Sequence, residues 1–243
     1  MGRLDGRRAL VTGGGRGLGA AVARELAAEG AHVAVLSRTK DDVESVAEEI
    51  HGTALAADVA DRTDLERALG VAGEIDVVVA NAGVVWPLGR FAETDIDEWE
   101  QDLVINLFGA VRVIRATLPG MLTRGFGRIV TISSGAASHP GMPSANAYSA
   151  SKAALDMVTV HLAQEVGGTG VTVNAVRPGV VDTEMQTFMR SLPRDQVGDA
   201  FYERFHGMHE RGELRHPDQS ARFLVDVMLS GRNGEILDIR SAT

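Results

Sequence analysis

A tyrosine stands four residues before a lysine in Tyr148-Ser-Ala-Ser-Lys152, and at helical spacing the two side chains share one face. A phenol with an ordinary pKa near ~10 is a poor proton donor or acceptor at neutral pH unless a nearby cation stabilises its ionised form. An ammonium one turn away would do that. The coincidence has weight because Tyr148 and Tyr202 are the two tyrosines of the chain, and Lys40 and Lys152 the two lysines among 24 basic residues. Upstream, Thr131-Ile-Ser-Ser134 ends fourteen residues before Tyr148. A hydroxyl at Ser133 or Ser134 can point at a substrate carbonyl and share its developing oxyanion with the tyrosine. With a hydride donor on the other side of that carbonyl, these groups would reduce a ketone or aldehyde, or oxidise the alcohol.

The donor's seat is suggested by Thr12-Gly-Gly-Gly-Arg-Gly-Leu-Gly19, a glycine turn between a β-rich run and a helical one. Gly13, Gly17, Leu18 and Gly19 would let backbone N–H groups approach a pyrophosphate at the helix N-terminus. No Gly-Lys-Ser/Thr follows, which disfavours a nucleoside-triphosphate loop. The second β-rich run ends Leu36-Ser37-Arg38-Thr39, without the carboxylate that would bind the ribose 2′-hydroxyl of NAD. Arg38, with Arg16 inside the turn, suits a 2′-phosphate, so the expected cofactor is NADP(H), with NAD(H) as the alternative.

The elements that must position these groups alternate along the chain. Strands are predicted over 8–12, 32–37, 53–57, 75–80, 127–133 and 171–176, and helices over 18–29, 40–50, 61–71, 97–123 and 147–166. The run Ile75-Asp-Val-Val-Val-Ala80 is apolar throughout instead of alternating, as parallel strands covered on both faces are. Strand–helix alternation of this kind implies right-handed crossovers and one doubly wound parallel sheet with helices on both faces, an α/β domain over 1–243. The stretch 182–216 has no strand pattern and mixes Met185, Phe188, Met189, Phe201, Tyr202, Phe205 and Met208 with charges. Short helices inserted as a lid over a substrate would read this way, and so would a subunit-facing segment.

Composition removes other chemistries. In 243 residues, 33 acidic against 24 basic side chains leave a net charge of −9, which disfavours a nucleic-acid backbone as partner. Zero cysteines exclude disulfides, thiolate catalysis and Cys-ligated metal centres. No continuous apolar run approaches the ~20 residues of a membrane span, and the N-terminal residues lack a signal-peptide pattern. A cytoplasmic protein without membrane partners is expected. His206 and His209 share a helical face, but no metal is expected there; Trp86 suits either a pocket wall or the core.

These motifs together resemble the short-chain dehydrogenase/reductase family, classical type, over essentially the whole chain. Thr12 to Gly19 resembles its cofactor turn in a Rossmann-type fold, Asp58-Val59 its adenine contact, and Asn81-Ala82-Gly83 its motif after the fourth strand. Pro178-Gly179-Val-Val181-Asp-Thr183 resembles its cofactor-side loop, and Asn106, Ser134, Tyr148 and Lys152 its catalytic set. The resemblance implies that Tyr148 is the acid/base and that Ser134 orients the carbonyl. It implies also that Lys152 holds the ribose and lowers the phenol pKa, and that Asn106 supports a relay water. It implies a small carbonyl or alcohol substrate and a homodimer or homotetramer built through the two long helices. The serine–tyrosine interval is one residue longer than the family's commonest, which keeps Ser133 open although Ser134 matches better. The C-terminus, Gly234 to Thr243, lacks the usual glycine-rich tail. Two other functions remain on the same fold: a non-catalytic dinucleotide sensor, and an epimerase or dehydratase using bound cofactor.

Overall fold

The computed structural model describes residues 2–241. Its strands are β1 Arg8–Thr12, β2 His32–Ser37, β3 Thr53–Ala56, β4 Val77–Ala80, β5 Gly127–Ile132, β6 Val171–Arg177 and β7 Ile236–Asp238. They form one sheet in the order β3-β2-β1-β4-β5-β6-β7, parallel at every pairing. The connection reverses direction between β1 and β4, so the crevice for a ligand opens beyond the carboxyl ends of those two strands.

Both faces of the sheet are covered, for the reason the unbroken apolar runs suggest. In β1, Ala9 and Val11 join one cluster while Leu10 joins the other; in β4, Val77 and Val79 oppose Val78 and Ala80. The first cluster takes α1 Gly17–Ala28 through Leu18, Val22 and Leu26, with α2 Lys40–Glu49. The second takes α3 Arg62–Ala72 through Leu65 and Ala68. Helix α3 starts where Asp61 accepts the Asp64 amide at 3.0 Å, satisfying one of the donors a helix start leaves free.

The helix expected over 97–123 has a different interior. It comprises α4 Ile96–Leu103, a π-helical stretch Val104–Gly109, and α5 Ala110–Arg124. The wider π turn has no signature in residue periodicity, and such turns recur at functional sites. The whole run Ile96–Arg124 also has the length and apolar composition to cross a bilayer, although polar residues interrupt it; Val113, Ile114 and Met121 pack one face of its α5 part into the second cluster. Next comes α6 Asn146–Glu165, packed on the same side through Leu155 and Ala163.

After β6 the chain leaves the sheet and forms α7 Glu184–Ser191, α8 Arg194–Val197 and α9 Asp199–Glu210. A parallel bridge between Val181 and Arg215 closes the neck of this excursion. Phe201, Phe205, Met189 and Val197 form a third apolar cluster with Val85, Leu88 and Ala145, holding these helices over the start of α6. The chain then returns through α10 Pro217–Leu229, which packs on α1's side, to β7. Met1, Ala242 and Thr243 lie outside the described residues.

Candidate active site

The carboxyl ends of the strands border one crevice of about 560 Å³. At one end is the glycine turn. Gly13 has φ +63°, and a Cβ there would stand 2.9 Å from the Ala82 Cα; a Cβ on Gly19 would stand 2.1 Å from the Gly13 carbonyl oxygen. No larger residue fits either position. The turn is held from across the sheet: Asn81 Nδ2 donates to the carbonyls of Thr12 at 2.9 Å and Gly13 at 3.1 Å. Thr12 Oγ1 in turn accepts the amides of Asn81 and Ala82, both at 3.1 Å. The side chain of Asn81 thus staples β1 to β4, and its neighbours Ala82 and Gly83 line the crevice. Gly17, Leu18, Asp58 and Val59 line it as well, with Asp58 Oδ1 turned onto its own loop to accept the Ala60 amide at 2.8 Å.

At the other end are the tyrosine, the lysine and a serine. Tyr148 lies in the first turn of α6, half-buried, with its hydroxyl in hydrogen-bonding reach of the Ser134 hydroxyl. Ser134 also accepts the Ala136 amide at 3.1 Å, which fixes its orientation. Ser133 extends the ladder instead, donating its amide to Val176 at 2.9 Å, and its Oγ is buried without a partner. Both serines line the crevice just past the end of β5 at Ile132, and they differ in the bonds they make. The partner of Tyr148 is therefore Ser134.

Lys152 is 3% exposed, and its Nζ donates to the Ile132 carbonyl at 2.8 Å and stands 5.7 Å from the Tyr148 ring centroid. Burial pushes the Lys152 ammonium down to about 8, while Asp102 and Asp156 pull it upward. Burial likewise pushes the Tyr148 phenol above its ordinary value, the Ser134 hydrogen bond lowers it, and Asp102 raises it. The lowering of the phenol expected from Lys152 is not seen: desolvation disfavours the charged form of both groups, and Ser134 is the group that draws the phenol down.

Asn106 is apart from the other three. It sits in the π stretch, fully buried behind the crevice wall, and its side chain has no free bond to give. Oδ1 accepts the Val84 amide at 2.8 Å, while Nδ2 donates to the Val84 carbonyl at 3.0 Å, Asp102 Oδ1 at 2.8 Å and Ser151 Oγ at 3.1 Å. Gly83 makes the junction: a Cβ there would meet Asn106 Oδ1 at 3.0 Å and Lys152 Nζ at 3.4 Å.

Arg38 lines the crevice and is exposed, as a phosphate contact would be. Arg16 lines it too but is ion-paired with Glu184 of α7. Pro178, Gly179, Val181 and Thr183 form the edge beyond β6, where Ser220 Oγ donates to the Pro178 carbonyl at 2.8 Å. Thr183 packs on the turn, its Cγ2 3.1 Å from where a Gly17 Cβ would be. Sequence reasoning missed Asp42, which lines the crevice beside Gly15, and Asp102, which touches Asn106. The spacing of Asp102 four residues before Asn106 was the available signal. His206 stacks on Tyr202 with ring centroids 3.9 Å apart and bonds the Arg190 carbonyl at 3.0 Å, so it braces α9 against α7. Trp86 does both things open to it, lining the crevice and packing on the second cluster.

Residues 7–193 match the model of the short chain dehydrogenase family. Galactitol 2-dehydrogenase (L-tagatose-forming) of Cereibacter sphaeroides is 34% identical over 247 residues, covering 98% of this chain and 94% of its own. Glycine betaine reductase ATRR of Emericella nidulans is 39% identical over 193 residues, but this chain spans 15% of its length. Among solved structures, an actinorhodin polyketide ketoreductase variant with NADPH superimposes at TM-score 0.85 and 29% identity, covering 98% of this chain and 97% of that one. The 3-ketoacyl-(acyl-carrier-protein) reductase of Brucella melitensis, with NADH, has TM-score 0.85 at 27% identity, covering 97% of each chain.

Proposed function

From the premise that the chain belongs to the short chain dehydrogenase family, we propose that it is an NADP(H)-dependent oxidoreductase interconverting a ketone or aldehyde and its alcohol, with Tyr148 as general acid/base. The observation that carries this reading is the Tyr148 hydroxyl in hydrogen-bonding reach of Ser134, with a lysine ammonium one helical turn away, at the end of a crevice that begins in a glycine turn. The cofactor fits the residues present, since the turn is closed to any side chain at Gly13 and Gly19. The backbone from Gly13 to Gly19 would hold its pyrophosphate, Asp58 and Val59 the adenine side, and Lys152 the ribose hydroxyls. Asn81, Ala82, Gly83, Pro178, Gly179, Val181 and Thr183 would border the rest. Arg38 and Arg16 would meet a 2′-phosphate, and the absence of a carboxylate at Ser37 supports that preference.

When bound, the nicotinamide supplies hydride to the carbonyl carbon. Ser134 donates a hydrogen bond to the carbonyl oxygen and keeps it beside Tyr148. The Tyr148 hydroxyl gives its proton to that oxygen in the reducing direction and takes it back in the other. The ammonium of Lys152, 5.7 Å from the ring centroid, would stabilise the phenolate so formed, which the desolvated site disfavours. Asn106 acts from behind the wall, by fixing the loop after β4 against the start of the π stretch.

The 182–216 segment serves as the substrate lid: its Met185, Met189 and Phe205 face the crevice with Val85, Trp86 and Met142, which suits a carbonyl compound with an apolar body. A second copy of the chain fits the long helices, where Phe108, Leu122 and Met157 are exposed by 47%, 41% and 55%. Cytoplasmic residence goes with this reading, as does a small-molecule substrate. A panel of ketones, quinones and hydroxy-steroids followed at the nicotinamide absorbance with NADPH and NADH tests it. Turnover with net change in NADPH is expected; tight cofactor binding with no turnover would make the protein a dinucleotide sensor instead.

A further inference from the structure

Asp102 is the most deeply buried carboxylate among the described residues, at 0% exposure, and the sequence motifs do not include it. The other two buried aspartates have arginines: Asp76 bonds Arg124 at 3.1 Å, and Asp156 bonds Arg177 at 2.8 Å. No cation lies within ion-pair distance of Asp102 among the described residues. Its Oδ1 accepts Asn106 Nδ2 at 2.8 Å and Ser151 Oγ at 2.7 Å, and its Oδ2 is buried without a partner. A carboxylate is costly to bury without a counter-charge. The charge that reaches it is that of Lys152, one residue beyond Ser151.

The contacts around Asp102 join the parts of the site that otherwise share no backbone. Asn106 is clamped to the loop after β4 at Val84, and Ser151 bonds the Tyr148 carbonyl at 3.0 Å within the first turns of α6. The Trp99 indole, one turn before Asp102, donates to Asn146 at the head of the same helix. We propose that Asp102 is a positioning residue for the carbonyl–alcohol reaction: a buried anion that keeps Lys152 protonated and, through Asn106 and Ser151, fixes the turn that carries Tyr148. The proposal rests on the oxidoreductase reading for its catalytic consequence, while the coupling between Asp102 and Lys152 stands without it.

The titratable groups around the pair are few. Helix α6 presents Tyr148, Lys152 and Asp156, the last engaged by Arg177; α4 carries besides Asp102 only Asp97, Glu98 and Glu100, all exposed; the loop 81–86 and the π stretch present none. Burial raises Asp102 to about 6, with Ser151, Asn106 and then Lys152 pulling it down. Above that pH its charge holds the Lys152 ammonium up and the Tyr148 phenol up. Reduction needs both groups protonated. Removing the charge therefore lets both lose their protons at lower pH, and the two effects act in the same direction.

The chain's two lysines make a direct test. In the full-length protein labelled with ¹⁵N-lysine, only Lys40 and Lys152 give side-chain signals, and exposed Lys40 serves as the internal reference. The Lys152 signal should move in two steps, one near pH 6 as Asp102 ionises and one near pH 8 as Lys152 itself titrates. The first step should vanish in Asp102→Asn, which keeps the side-chain shape. A single step in the unmodified protein would overturn the coupling whatever the variant does. For catalysis, Asp102→Asn should move the alkaline limb of kcat/KM for ketone reduction down by about half to one pH unit, the range of one partly screened buried charge. Ser151→Ala should lower kcat and leave that limb in place. An alkaline limb of Asp102→Asn that superimposes on the unmodified enzyme's would refute the catalytic role while leaving the oxidoreductase reading intact.

Discussion

The guanidinium of Arg16, in the middle of the glycine turn, is ion-paired to Glu184, the first residue of α7. The pair ties the cofactor end of the crevice to the helices that cover its substrate end. If a 2′-phosphate is to be met by Arg16 as well as by Arg38, it competes with Glu184 for that guanidinium. Both side chains are more than 60% exposed, so the pair is weak and exchangeable.

Glu184→Gln should therefore raise NADPH affinity by about two- to fivefold, the worth of an exposed ion pair, with no gain for NADH. Fluorescence titration with both nucleotides measures it. An equal change for the two would mean that Arg16 does not reach the 2′-phosphate.

Arg38 is exposed at the end of β2, where the preceding residue is Ser37 in place of a carboxylate. Arg38→Ala should weaken NADPH by about 10- to 100-fold, the loss of a charge-assisted contact, and NADH by no more than about twofold. The ratio of kcat/KM for the two cofactors reads this out, and a parallel loss refutes the assignment.

Tyr148→Phe removes the proton and keeps the ring that packs against the third apolar cluster. Turnover should fall by about a thousandfold, within the span of general acid–base catalysis, while NADPH affinity stays within about twofold. Substantial residual turnover would mean that another group donates the proton.

The two serines separate by their bonding partners. Ser134→Ala should lower kcat/KM by about 10- to 100-fold through loss of one oxyanion donor, since Ser134 is the one in hydrogen-bonding reach of the Tyr148 hydroxyl. Ser133→Ala removes a buried hydroxyl that has no partner, and should leave activity unchanged with stability equal or slightly higher. Thermal denaturation and steady-state kinetics on both variants decide it, and the reverse pattern would exchange their roles.

Much of the site was legible where its geometry is local. Tyr148 and Lys152 share a face because one helical turn is 3.6 residues, and the glycine turn reads from its own spacing between β1 and α1. The parallel sheet followed from runs such as that of β4, since strands covered on both faces have no polar alternation. Strand and helix ends moved by a residue or two, as hydrogen-bonded boundaries do. The hydroxyls of Ser133 and Ser134 lie past the end of β5, where no strand alternation separates them; their bonding partners do, and those come from other elements.

By itself, then, the sequence determined a parallel α/β sheet, a glycine turn after its first strand, and a phenol one turn from an ammonium, each a matter of period or adjacency. Tertiary structure decided the rest. The π turn that carries Asn106 into the wall has no period of its own to read. The contact of Asp102 with Ser151 spans 49 residues and two helices, and the ion pair of Arg16 with Glu184 closes only when the excursion after β6 folds back over the crevice. Such pairs depend on how separate elements dock. Docking is set by the summed burial of both helix layers against the sheet, which no short stretch of residues encodes.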